Sequence, residues 1–116
     1  MAKTLFEKIW EKHIVQSVKD GPDVIYIDKH FIHEVTSPQA FAGIEKRGIE
    51  ILRPEKIVAT ADHNVPTLNQ HLPIKDELSR LQVQQLIENC KKHDIELYGL
   101  GHPFQGIVHV LSLIHI

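Results

Sequence analysis

The run Ile57-Val58-Ala59-Thr60-Ala61 constrains this chain more than any other stretch. It is short, apolar and uncharged, and it runs directly into Asp62-His63-Asn64. Such a run reads as a buried strand. In open α/β sheets, ligands bind in the crevice beyond the carboxyl ends of parallel strands. Asp62 and His63 are therefore placed as a candidate acid/base pair. A carboxylate beside an imidazole fixes its tautomer and orientation and favours a protonated general acid. Residue types alone leave a second reading open, a structural polar pair that closes a strand.

The surrounding pattern predicts helices between strands. Thr4-Leu5-Phe6-Glu7 fits a capping box, and Leu5, Phe6, Ile9 and Trp10 give an apolar face to a helix ending near His13. Asp20-Gly21-Pro22-Asp23 is a turn, and Val24 to Asp28 reads as a strand that His30 to Val35 continues or bends away from. Ser37-Pro38 opens a helix, with Ser37 as N-cap and Pro38 first in the helix, and Gly48 closes it. Ile49 to Leu52 is a short strand candidate. Asn64 to Pro73 is an irregular loop suited to substrate contacts. Lys75 to His93 reads as the longest helix, with Leu78, Leu81, Leu86 and Cys90 in its apolar stripe and Val83 and Ile87 widening it. Glu96 to Leu100 and Gly106 to Val110 are further extended segments. Strands alternating with helices imply α/β layering with a largely parallel sheet.

At 116 residues the chain is one small domain's length, and 42% hydrophobic content is ordinary for a globular core. The net charge of -2, with Lys and Arg scattered, gives no basic stripe for nucleic acid. No run approaches the roughly 18 apolar residues of a membrane span, and no apolar signal region opens the chain, so cytoplasm is the expected location. The single cysteine, Cys90, excludes an internal disulfide and reads as a small buried hydrophobe. Ile107 to Ile116 is nearly all apolar and is expected to be extended, as in a chain cut inside a domain or given a foreign tail.

Other residues carry weaker signals. The first-turn N–H groups after Ser37 suit a carboxylate, and Gln39 adds an amide, although an ordinary helix cap explains the same residues. His30-x-x-His33-Glu34 has the wrong spacing for a helical zinc pair, and on a strand residues three apart face opposite ways. His109, between Val108 and Val110, reads as a strand histidine held by hydrogen bonds.

Four stretches are familiar in combination: Thr4 to Trp10, Asp28-Lys29-His30-Phe31-Ile32-His33-Glu34-Val35-Thr36-Ser37-Pro38-Gln39-Ala40-Phe41, Thr60-Ala61-Asp62-His63-Asn64-Val65-Pro66-Thr67, and Gly106 to Val110. Together they resemble the large subunits of the isopropylmalate dehydratase branch of the aconitase superfamily. The resemblance implies a three-layer aconitase-like N-terminal α/β domain with a mostly parallel sheet, incomplete over residues 1–110. Residues 111–116 form an apolar tail that departs from the family pattern. The implied activity is that of a hydro-lyase acting on a small hydroxy-dicarboxylate, interconverting 2- and 3-isopropylmalate through isopropylmaleate in leucine biosynthesis.

By the same resemblance, His63 with Asp62 protonates the leaving hydroxyl, Gln39 and Ser37 lie on the substrate side, and His109 is a second active-site histidine. The family's [4Fe-4S] cluster would bind the substrate hydroxyl, but its cysteines have no counterpart here, and Cys90 is not one of them. The base comes from a small subunit, the expected partner. The stretch alone is expected to be inactive. Homoaconitase or methylmalate/citraconate-type hydratases are the nearest alternatives, and a non-catalytic binding module is the alternative of a different class.

Overall fold

The computed structural model describes residues 2–114. Helix α1 spans Leu5–His13, and strands β1 (Ile14–Gln16) and β2 (Val24–Ile25) pair antiparallel after it. Then follow β3 (His30–His33), α2 (Ser37–Lys46), β4 (Ile57–Thr60), α3 (Glu77–Lys92), β5 (Glu96–Tyr98) and α4 (Val108–Ile114). A short 3-10 turn, Pro54–Lys56, leads into β4.

The second sheet has the order β3-β4-β5 and is parallel throughout. His30 pairs with Ile57 and His33 with Thr60, so β3 and β4 end side by side. The central strand β4 feeds two cores, because alternate side chains face opposite ways. Ala59 and Ala61 pack with Phe41 of α2 and with Val83, Leu86 and Cys90 of α3. Val58 packs on the other side with Tyr98 and Leu111, the latter from α4. The order of layers is therefore α2 and α3, sheet, α4, as the three-layer α/β expectation requires. Small residues on and just after β4 let the helices approach closely: Ala59 has no exposed surface and Ala61 1%.

Helix starts and stops follow from local chemistry. Thr4 accepts the Glu7 N–H at 3.2 Å, and the Glu7 carboxylate accepts the Thr4 N–H at 2.7 Å, so both halves of the capping box form. Asp76 caps α3 by accepting the Ser79 N–H at 2.8 Å. Gly48, at φ +62°, turns the chain away after α2, a conformation glycine takes without a Cβ penalty.

Several expectations are corrected. The segment Gly106 to Val110 is not extended: α4 begins at Val108, and His109 lies on a helix rather than a strand. Leu111 seals the core beneath it, and β-branched residues yielded to that packing. His115 and Ile116 of the apolar tail lie outside the described residues. Ile49 to Leu52 forms no strand; Ile51 packs against the core while Leu52 is exposed. Helix α2 starts at Ser37, so Thr36 is the N-cap, no side-chain cap bond forms there, and Pro38 comes second. The buried stripe of α3 is Val83, Leu86, Asn89 and Cys90, whereas Leu78, Leu81 and Ile87 face outward. Strand β1 had no signal of its own, and β2 is limited to Val24–Ile25.

Helix α1 buries none of its residues. Its expected apolar face is open, with Leu5, Phe6 and Ile9 exposed. The radius of gyration is 17.2 Å, against about 13 Å for a compact 100-residue domain. The helix is tied to the chain by polar contacts. The Trp10 indole N–H donates to Asp23 at 2.9 Å. His13 places Nδ1 2.7 Å from the Ile9 carbonyl and Nε2 3.0 Å from Asp28.

Both ring nitrogens of His13 thus face acceptors, which favours the doubly protonated ring. The Asp28 hydrogen bond, then the Ile9 carbonyl, raise its pKa above the ordinary 6.5, and the same bond lowers that of Asp28. A raised histidine pKa gives stability that is complete below the unfolded value and is lost as pH rises through the folded value. A lowered aspartate pKa gives stability that is lost as pH falls through its folded value. The tie between α1 and Asp28 is therefore expected to be strongest between about pH 4 and 6.5 and to weaken at higher pH. An NMR titration of the His13 ring checks this: a midpoint above that of a free histidine, lowered by Asp28→Asn, is the expected result.

Candidate active site

The carboxyl ends of β3 and β4 lie together because the strands are parallel and in register. Beyond them, His33-Glu34 and Asp62-His63 converge. Their ligand atoms all lie within 4.8 Å of one another. Asp62 and His63 were expected here; His33 and Glu34 join them.

Glu34 is wholly buried. Its Oε2 accepts the Asp62 N–H at 3.1 Å, and its Oε1 accepts the His63 N–H at 2.7 Å and also the Asn64 N–H. A carboxylate needs such donors to be buried as an ion. The bonds run from the end of one strand to the turn after the next, so the carboxylate ties the two exits together.

The Asp62 side chain is 2% exposed and that of His63 51%. Asp62 Oδ1 accepts from His63 Nδ1, and Asp62 Oδ2 accepts the Val108 N–H at 2.8 Å. A carboxylate only accepts, so Nδ1 carries the hydrogen and Nε2 is the ring nitrogen this bond leaves open. The second bond satisfies an N–H that α4 cannot satisfy internally. Asp62 therefore orients the imidazole and starts α4.

The His33 ring packs against that of His63, with centroids 4.4 Å apart and planes inclined by 30°. The Val35 N–H donates to His33 Nδ1 at 3.2 Å, so neutral His33 carries its hydrogen on Nε2. In that form it donates and does not ligate a metal through Nε2. The four residues are thus engaged by hydrogen bonds rather than aimed as a ligand shell. His30 and His33 stand at opposite ends of β3, three residues apart and hence on opposite faces.

Around the turn, Asn64 is held by Gln82 and by Ser79, both on α3. His63 lines a cleft of about 450 Å³ with Asn64, Val65 and residues of the following loop, including Leu68 and Ile74. That loop was expected to make substrate contacts, and the cleft opens onto it.

The remaining expected residues sit elsewhere. Gln39 is exposed and borders a groove with Pro38, Leu78, Leu81 and Gln82. Ser37 is buried, and its hydroxyl has no hydrogen-bond partner among the described residues. His109 is exposed on α4, one residue beyond the Val108 bond to Asp62. His33 and Glu34 belonged to a familiar motif but carried no spacing signal that linked them to Asp62-His63, since their partnership crosses from β3 to the turn after β4.

An α/β sheet with an oriented carboxylate–imidazole pair at its carboxyl edge has the geometry that acid/base chemistry at a strand end requires. The particular lineage follows from comparison: the chain belongs to the aconitase family (aconitate hydratase), whose family model matches residues 7–114. The large subunit of 3-isopropylmalate dehydratase from Cytophaga hutchinsonii is 66% identical over 112 residues, which is 97% of this chain and 24% of that protein. The protein of the same name from Flavobacterium johnsoniae is 57% identical over 112 residues, with the same coverage. That from Bacteroides thetaiotaomicron is 52% identical over 109 residues, 94% of this chain and 24% of that protein. The chain thus spans about a quarter of the length of these relatives. No solved structure matches it.

The family implies an iron–sulfur cluster, which is held by cysteine thiolates. The chain has one cysteine, Cys90, which is 2% exposed within α3, and burial pushes its thiol up to about 11. A single buried, protonated thiol does not fit a cubane cluster, so these residues do not form its site. Among the described residues no helix is long and apolar enough to cross a membrane.

Asp62→Asn tests the pair directly. Asparagine offers one oxygen where the aspartate serves both His63 Nδ1–H and the Val108 N–H, so one donor loses its partner. The expected cost is about 1–3 kcal/mol in denaturant unfolding. Nitrogen NMR of the His63 ring should at the same time show a mixture of tautomers in place of Nδ1–H alone.

Proposed function

We propose that this chain forms part of the large subunit of an isopropylmalate dehydratase, a hydro-lyase that interconverts 2- and 3-isopropylmalate through isopropylmaleate. The observation that carries the reading is His63, whose Nδ1 is held by nearly buried Asp62 while its half-exposed ring leaves Nε2 for substrate. Identities of 52–66% to proteins bearing that name support the substrate class.

In the dehydration direction, protonated His63 gives the Nε2 proton to the departing hydroxyl, which leaves as water. The neutral ring keeps its Nδ1 hydrogen on Asp62. In the hydration direction, neutral Nε2 takes a proton from the incoming water. Asp62 holds the ring so that the same nitrogen serves both directions. His109, exposed on α4 one residue past the Asp62 contact, is given no step in this chemistry. The base acting at carbon is proposed to come from a small subunit. The iron–sulfur cluster is proposed to be held by other parts of a complete large subunit, and the location to be the cytoplasm. Residues 1–110 would then be one portion of a larger aconitase-type domain.

The test uses a full-length large subunit containing this sequence, assembled with its small subunit. His63→Ala is expected to lower kcat for 2-isopropylmalate by about 10²–10⁴ with little change in KM. Unchanged turnover would remove His63 from the chemistry. A panel of malate derivatives in the same assay separates isopropylmalate from the homoaconitase and citraconate types.

A further inference from the structure

We propose that Glu34 is a positioning residue for His63: it acts through the backbone of residues 62–64 and touches no substrate. The inference rests on the reading of His63 as the proton donor.

Three successive N–H groups, from Asp62, His63 and Asn64, point at one fully buried carboxylate. Both oxygens are used, one for Asp62 and the other for His63 and Asn64. Converging amides of this sort form an anion-binding concavity. Here the anion belongs to the protein itself. The occupant comes from the end of β3, and the amides come from the turn after β4.

The consequence for His63 follows from what else the turn carries. The Asp62 side chain has both oxygens committed, one to His63 Nδ1 and one to the Val108 N–H. The His63 ring also packs against that of His33, the residue immediately before Glu34. A rotation of the 62–64 backbone therefore disturbs the Asp62 bond, the contact between the two imidazole rings and the start of α4 together. The direction of Nε2 depends on the carboxylate that fixes that backbone.

The demand is specific to glutamate. Glutamine has the same shape but turns an NH₂ toward one set of N–H donors. Aspartate keeps the charge but is one methylene short. A group that merely filled space would be replaced by glutamine at little cost to chemistry, and any loss it caused would be independent of His63.

A double-mutant cycle separates these cases. In the assembled full-length enzyme, Glu34→Gln is expected to lower kcat about 10²-fold, the scale of an ångström's misplacement, with KM changed by less than about 3-fold. In the His63→Ala background, Glu34→Gln is expected to cause no further loss. An unchanged kcat for Glu34→Gln overturns the proposal, as does a full additional loss in the His63→Ala background. If His63→Ala alone leaves kcat unchanged, the functional reading fails and this role of Glu34 falls with it.

A second measurement does not depend on whether the variant folds. In the unsubstituted assembled enzyme, the amides of residues 62–64 should exchange about 10²-fold more slowly than unprotected amides, because the buried carboxylate holds them. Exchange at the unprotected rate overturns the proposal.

Discussion

The Glu34 carboxylate is the point on which the arrangement turns. Burying an ionised group is unfavourable unless donors replace the water it loses. Here the replacement is the backbone of the turn that follows the central strand. The charge and the turn each require the other: without the amides Glu34 would be a buried unpaired ion, and without Glu34 three N–H groups beyond the sheet would lack this acceptor. An irregular segment is thereby fixed without regular secondary structure.

The rest of the fold brings those two partners into reach. Parallel register between β3 and β4 places His33 beside Thr60, so Glu34 and the 61–64 turn leave the sheet at the same edge. Small side chains on and just after β4 let α2 and α3 close over one face, while Val58, Tyr98 and Leu111 close the other. Thr60, wholly buried, donates to the Gly106 carbonyl at 3.1 Å, and Gln105 donates to the Ala61 carbonyl at 3.3 Å. These bonds bring the 99–107 loop across the strand end and deliver Val108 to Asp62. The His63 ring and the last helix thus share one carboxylate.

Much of this was legible in the residues, and the exceptions share a physical cause. Ile57 to Ala61 announced a buried strand, Thr4 with Glu7 announced a helix start, and Asp62-His63 stood where a parallel sheet presents its chemistry. Those signals are local. Glu34 was not legible as a buried ion, because its partners are backbone groups some thirty residues away and leave no side-chain pattern. His33 was hidden because the ring it meets, His63, lies thirty residues further along the chain. The segment from Ile107 reads as strand by its β-branched residues, yet Asp62 supplies an N-terminal partner and Leu111 a buried anchor, so tertiary contacts selected a helix. The apolar face of α1 was predicted correctly as a pattern, but a pattern does not say what covers it.

The central claim is that His63, held by Asp62 and fixed through Glu34, faces the departing hydroxyl of a hydroxy-dicarboxylate. A crystal structure of the assembled enzyme with a bound substrate analogue tests it most directly. The account requires His63 Nε2 within about 2.6–3.2 Å of the hydroxyl oxygen, with Asp62 on Nδ1 and the Glu34 carboxylate still on the amides of 62–64. A bound analogue whose hydroxyl lies out of reach of His63, with those Glu34 bonds intact, would contradict it.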